Sequence, residues 1–182
     1  MNENNTTELE IKNKEYLAYI NEHRANVHKA FDVYGKVIAD ELDMSFKEYF
    51  ALVGIVSHHD ESKYLAEEFD GYRQWFYPLA NETKNRKIFD KAWKHHYTLN
   101  RHHWEYYYNP DTKLATEIPK IYLAELILDW TAMSFKFGDT PYLYYKKKYR
   151  EIHLNHKTKL ILIRTLKKLF SGVDSLNAEV GK

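Results

Sequence analysis

Residues 8–42, ELEIKNKEYLAYINEHRANVHKAFDVYGKVIADEL, decide the fold class. Tyr16, Ile20, His23, Val27, Phe31, Tyr34 and Ile38 recur there every three or four positions, which is one face of a long amphipathic helix. Downstream, Ser45 followed by Glu48 reads as a capping box opening a second helix through Leu52, Ile55 and His59. A short third helix is predicted through Leu65, Phe69, Tyr72 and Phe76, stopped by Pro78. A fourth runs from Asn85 to Tyr107, before the turn Asn109-Pro110-Asp111. Pro119 suits the first turn of a fifth, which carries the apolar run Ile121 to Phe135 and ends near Gly138. Tyr142 to Leu154 and Lys157 to Phe170 give two more amphipathic segments. No stretch alternates with the period of two that a half-buried strand needs.

With only six glycines and four prolines in 182 residues, little punctuation favours many short strands. The expectation is an all-α bundle of six to seven helices, one domain over residues 1–170 and a frayed tail over 171–182, where few apolar residues remain. The 27 Lys+Arg nearly cancel the 26 Asp+Glu, a balance unlike that of general nucleic-acid or membrane-surface binders, which rely on basic excess. The absence of cysteine excludes disulfides, thiolate metal sites and cysteine nucleophiles. No run approaches the ~18 apolar residues of a membrane span. The polar, acidic stretch Met1–Glu10 lacks a secretory pattern, so a cytoplasmic protein is expected.

Eight of the ten histidines fall in four places: His23 and His28, His58 and His59, His95 and His96, His102 and His103. Helical phase sorts them. His23 lies on the stripe Ile20, His23, Val27, Phe31, and His28 is turned away from it. His59 lies four residues after Ile55. Phe89, Ala92, His96, Leu99, His103 and Tyr107 share one face of the fourth helix, which turns His96 and His103 inward, about 10 Å apart along the axis. That spacing suits two neighbouring ions, or one ion plus substrate. Asp60 follows His59, and Asp129 interrupts the most apolar helix of the chain. Imidazole and carboxylate are ligands for divalent ions, and a helical bundle can collect them from several helices. A buried carboxylate such as Asp129 needs a metal, a cation or a proton beside it.

The order His23, His59-Asp60, Asp129 resembles the HD-domain superfamily of metal-dependent phosphohydrolases, all-helical proteins in which such residues bind a divalent ion. The gaps of 36 and 69 residues suit it, and His59-Asp60-Glu61-Ser62-Lys63 resembles its His-Asp-x-x-Lys motif. The strings Tyr19-Ile20-x-x-His23, Glu68-Phe69-x-x-Tyr72, Ala92-Trp93, Asn100-x-His102-His103-Trp104-Glu105 and Glu125-x-x-x-Asp129-Trp130 resemble an uncharacterised bacterial and phage family related to HD domains. The resemblance spans about Tyr19 to Leu169. It implies one or two divalent ions on His23, His59, Asp60, His96, His103 and Asp129, with His95 and His102 as register alternatives and Asp60 as the bridge between two ions. The segment lacks glycine and the extended signature of cyclic-dinucleotide phosphodiesterases, so no particular substrate carries over.

The implied reaction is hydrolysis of a phosphate ester, in a nucleotide or similar small phosphorylated metabolite, by water that a divalent ion has acidified. Mn, Fe, Zn, Ni, Co and Mg all suit this donor set. Lys63 would neutralise phosphate charge, and Arg73 or Arg101 would add bidentate contacts. Glu61 and Glu125 are candidates to carry protons or to orient a ligand histidine. Glu125 shares a helix face with Asp129. Phe69, Tyr72, Trp75 and Phe76 read as packing before they read as a platform for a base. Lys146-Lys147-Lys148 reads as a solvated face, and His153 and His156 take no role. Two other readings stay open: an HD-type di-iron oxygenase using the same six ligands, and a non-catalytic, metal-stiffened module that binds a nucleotide or a protein. A homodimer is compatible with the sequence, although no heptad seam demands one.

Overall fold

A computed structural model describes residues 3–173, so most of the expected frayed tail lies outside the described residues. The fold is all-α, with seven α-helices among the described residues: α1 (Glu3–Glu41), α2 (Phe46–Ser57), α3 (Ala66–Phe76), α4 (Arg86–Leu99), α5 (Lys120–Phe137), α6 (Pro141–Lys148) and α7 (His156–Phe170). Two 3-10 turns, Glu61–Tyr64 and Trp104–Tyr107, and a two-residue antiparallel ladder complete it. In that ladder β1 (Tyr108–Asn109) pairs with β2 (Leu114–Ala115), Tyr108 opposite Ala115. Asn109 forms the turn between them, its Oδ1 accepting from the backbone of Asp111 and Thr112. Among the described residues no helix is long and apolar enough to cross a membrane.

The chain divides into two compact units, each with its own apolar core. The first is Met1–Arg24 with Asp60–Asn100, and the second is Ala25–His59 with Arg101–Lys182. In the first, α1 contributes Tyr16 and Ile20, which are buried with Tyr72 of α3 and Ala92 of α4. Phe69, Tyr77, Phe89 and Trp93 close around them. Trp75 stacks on Phe89 at 4.8 Å, so the aromatic excess here is packing. In the second unit α5 is buried nearly all round, from Leu123 to Leu128 and on to Ala132, as a helix at the centre of a core must be. Val27, Ala30 and Ile38 of α1, Leu52 and Val56 of α2, and Leu162, Leu166 and Phe170 of α7 pack in the same core.

Local chemistry sets most boundaries where the pattern places them. Ser45 and Glu48 form the reciprocal capping box of α2. Gly138, at φ 73°, ends α5 in the left-handed conformation that glycine tolerates best. Three boundaries differ from the periodicity. α4 stops at Leu99 rather than reaching Tyr107, because the Asn100 side chain donates to the His96 carbonyl at 2.9 Å and turns the chain. His96 and His103 therefore do not share a helix. α2 ends at Ser57, which leaves His59 outside it. The predicted segment Tyr142–Leu154 is helical only to Lys148, whose carbonyl accepts from both Glu151 and Ile152.

Gly71 lets α3 approach α4 closely. A Cβ placed there would meet the Ala92 Cβ at 2.7 Å and the Ile88 carbonyl oxygen at 3.2 Å. Gly71→Ala gains helix propensity but overpacks this contact, so a net loss of about 1–2 kcal/mol is expected. Chemical denaturation measures it, and Gly71→Ala with Ala92→Gly should recover part of the loss. A stabilised single variant would contradict this packing.

Candidate metal centre

In the first unit the site is built on Asp60, which stands at φ 57° and ψ 20°. This left-handed conformation is costly for most residues and tolerated by aspartate. It opens the turn Glu61–Tyr64 and leaves the buried carboxylate facing two imidazoles. His96 Nε2 lies 3.3 Å from Asp60 Oδ1, and His23 Nε2 lies 3.5 Å from Oδ2. The Lys63 ammonium donates to Oδ2 at 2.5 Å. Behind His96, the fully buried Glu68 of α3 accepts from Nδ1 at 2.8 Å, and its other oxygen takes Nδ1 of His95 at the same distance. Burial alone pushes the Glu68 pKa up, but the hydrogen bond and charge of His96 outweigh it and the net shift is downward. His96 is further held edge-on by Tyr72, at a ring separation of 5.9 Å.

The second unit repeats the arrangement on α5. Glu125 and Asp129, one turn apart, both face His59. Glu125 Oε1 accepts from His59 Nδ1 at 2.9 Å, and Asp129 Oδ1 lies 3.7 Å from Nε2. His102 Nδ1 is 3.1 Å from the same Glu125 oxygen, and its ring centroid is 4.4 Å from that of His59. His103 lies against His102, with ring centroids 4.2 Å apart. Burial again pushes the Glu125 pKa up, and the two imidazoles pull it below the ordinary carboxylate value. Tyr144 is pushed up to about 12 by burial and by the carboxylates of Asp129 and Glu105.

In both clusters a glutamate holds the proton of Nδ1, so Nε2 is the nitrogen that presents its lone pair to an aspartate oxygen. Two acceptors facing each other in a buried site require a positive charge between them. Bonds of about 2.1 Å from an ion to nitrogen and oxygen would space neighbouring ligand atoms about 3.0–3.4 Å apart. The observed Nε2···O separations begin in that range and exceed the usual hydrogen-bond length. Ligand atoms of His59, His102 and Glu125 also lie within 4.8 Å of one another. The donor sets fit a divalent ion, and buried His, Asp and Glu groups here could hold one.

Of the residues expected from sequence, His23, Asp60, His96 and Lys63 come together in the first unit. His59, Asp129 and Glu125 come together in the second. Glu61 does not join them: its half-exposed side chain pairs with Arg24 at 3.1 Å. Arg73 is buried and taken up by a two-pronged ion pair with Glu82. Arg101 lies at the surface against the rings of Tyr106 and Tyr122. The buried member of the last histidine doublet is His102, while His103 is partly exposed. Glu68 was missed as a partner of His96. Its position three after Leu65 and four before Tyr72, on the apolar stripe of α3, was the available signal.

A family model described as a family of unknown function (DUF5662) matches residues 12–168, and the chain belongs to that family. The match contains both clusters. No curated protein and no solved structure matches the chain.

Glu68 and Glu125 hold the imidazoles of His96 and His59 from behind, so with these rings as metal ligands Glu68→Gln and Glu125→Gln should each weaken divalent-metal affinity about 10–100-fold. Competition against a chelating indicator reads the change, and circular dichroism checks the fold. Unchanged affinity in both variants would remove the orienting role.

Proposed function

We propose that this chain is an HD-type metal-dependent phosphohydrolase that cleaves a phosphate ester in a nucleotide or a similar small phosphorylated metabolite. The observation that carries the reading is the repeated order of glutamate, imidazole and aspartate: Glu68, His96 and Asp60 in one unit, Glu125, His59 and Asp129 in the other. His59 and Asp60 are consecutive, and with His23 and Asp129 they follow the order of ligands that the HD resemblance implies.

His23, Asp60 and His96, and His59 with Asp129, would hold one or two divalent ions. A bound divalent ion supplies Lewis acidity toward a phosphoryl oxygen and acidifies water, so no protein nucleophile is needed. Glu68 and Glu125 keep the proton on Nδ1 of His96 and His59, which fixes each ring and leaves Nε2 basic. Lys63, seated on Asp60 Oδ2, is the cation placed to exchange that carboxylate for an anionic phosphate. Arg73, held by Glu82, and the surface residue Arg101 contribute less to this reading than Lys63 does. Imidazole and carboxylate accept Mn, Fe, Zn, Ni, Co or Mg, so the metal follows from supply as much as from the donors.

The test is phosphate release from simple phosphomonoesters, phosphodiesters and nucleotides, with each of those metals added in turn. Release that depends on added metal is expected, and Asp60→Asn should reduce it by roughly a hundredfold or more, beyond the effect of outer partners. No release with any metal, or equal release by Asp60→Asn, would contradict the proposal.

A further inference from the structure

The second unit carries two adjoining cavities that no residue of α5 lines. One, of about 290 Å³, lies between α6 and α7. Tyr142, Tyr145 and Lys146 face it from α6, Tyr149 from just past the end of that helix, and Lys159, Ile163 and Lys167 from α7 one turn apart. The other, of about 370 Å³, is bounded by the β1–β2 hairpin and the α6–α7 connection, and shares Tyr149 and Lys159 with the first. Lys113 and Arg150 add two more cations to it. The larger cavity falls within the range of small-molecule sites, roughly 300 Å³ and upward, and the smaller lies at its lower edge.

Charge is sorted around these cavities. The chain as a whole is nearly balanced, yet among the described residues no carboxylate lines either cavity. Neighbouring lysines that face elsewhere are neutralised: Lys147 by Asp139, Lys148 by Glu151, Lys157 by Glu117 and Lys168 by Glu41. By contrast Lys113, Lys146, Lys159 and Lys167 make no ion pair among the described residues. Lys146 lies over the Tyr142 ring, and Arg150 lies over the Tyr149 ring while its Nε donates to the Tyr149 hydroxyl. Tyr149 is 44% exposed at the boundary shared by the cavities. A local excess of cations with no carboxylate partner attracts an anion, and fixed tyrosine faces favour a flat ring beside it. A single phosphate would need only part of this volume, whereas a base with its phosphate chain uses both features.

We propose that these adjoining cavities bind a nucleoside polyphosphate, with the base against the tyrosines and the phosphates on Lys159 and its neighbours. This site is separate in residues from both imidazole–carboxylate clusters and does not depend on the phosphohydrolase reading.

The experiment is calorimetric titration of the full chain, freed of metal by chelation, with ATP, GTP, CTP and UTP, and with adenosine and tripolyphosphate as partial ligands. At least one nucleotide should bind at least about tenfold more tightly than either partial ligand. Lys159→Glu and Lys146→Glu should each weaken it at least about tenfold, and Lys147→Glu and Asp129→Ala should leave it within about twofold. Binding of none of the four nucleotides would overturn the proposal. So would tripolyphosphate matching the best nucleotide, or equal effects of Lys159→Glu and Lys147→Glu. Loss of binding in Asp129→Ala alone would assign the nucleotide to the metal cluster and overturn it as well.

Discussion

Two buried imidazoles, each set between two carboxylates, are the constraint around which this protein is arranged. His96 stands between Glu68 and Asp60, and His59 stands between Glu125 and Asp129. Ionised groups in an apolar interior are destabilising unless paired, and a ring that donates on one side and faces an acidic oxygen on the other needs positive charge there. A divalent ion would meet that need, and the Nε2···O separations of 3.3 Å at Asp60 and 3.7 Å at Asp129 exceed the usual hydrogen-bond length.

Much of each core is organised to present these groups. α5 is the most apolar helix of the chain and occupies the centre of the second core. Glu125 and Asp129, one turn apart, both project toward the imidazole of His59. In the first unit Gly71 brings α3 against α4, the two helices that bear Glu68 and His96. Asp60 accepts a left-handed backbone conformation, an outlier of the kind that collects at functional sites.

The helices were legible because their signals are local. The stripe from Tyr16 to Ile38, the Ser45–Glu48 box and Gly138 act within a few residues, and each appears where the sequence places it. The ends of α4 and α6 were not legible, because hydrophobic period continues past the point where hydrogen bonding stops the helix. Asn100 ends α4 by bonding back to the His96 carbonyl while also donating to Ser62 Oγ, a partner 38 residues away. That turn takes His103 off the helix that carries His96. Tertiary partners also escaped: nothing local to Arg73 announces Glu82, and nothing local to His96 announces Glu68. The composition of the candidate site was readable, whereas its pairing depended on contacts distant in sequence.

The metal content of the protein, purified without added metal and measured per chain by mass spectrometry, tests the central claim most directly. One or two equivalents of a transition metal in the wild type, lost in His59→Ala and in Asp129→Ala, is the result this account predicts. A metal-free wild type whose thermal stability does not rise with manganese, iron, zinc, nickel, cobalt or magnesium would contradict it. The two imidazoles would then be core residues hydrogen-bonded to Glu68 and Glu125.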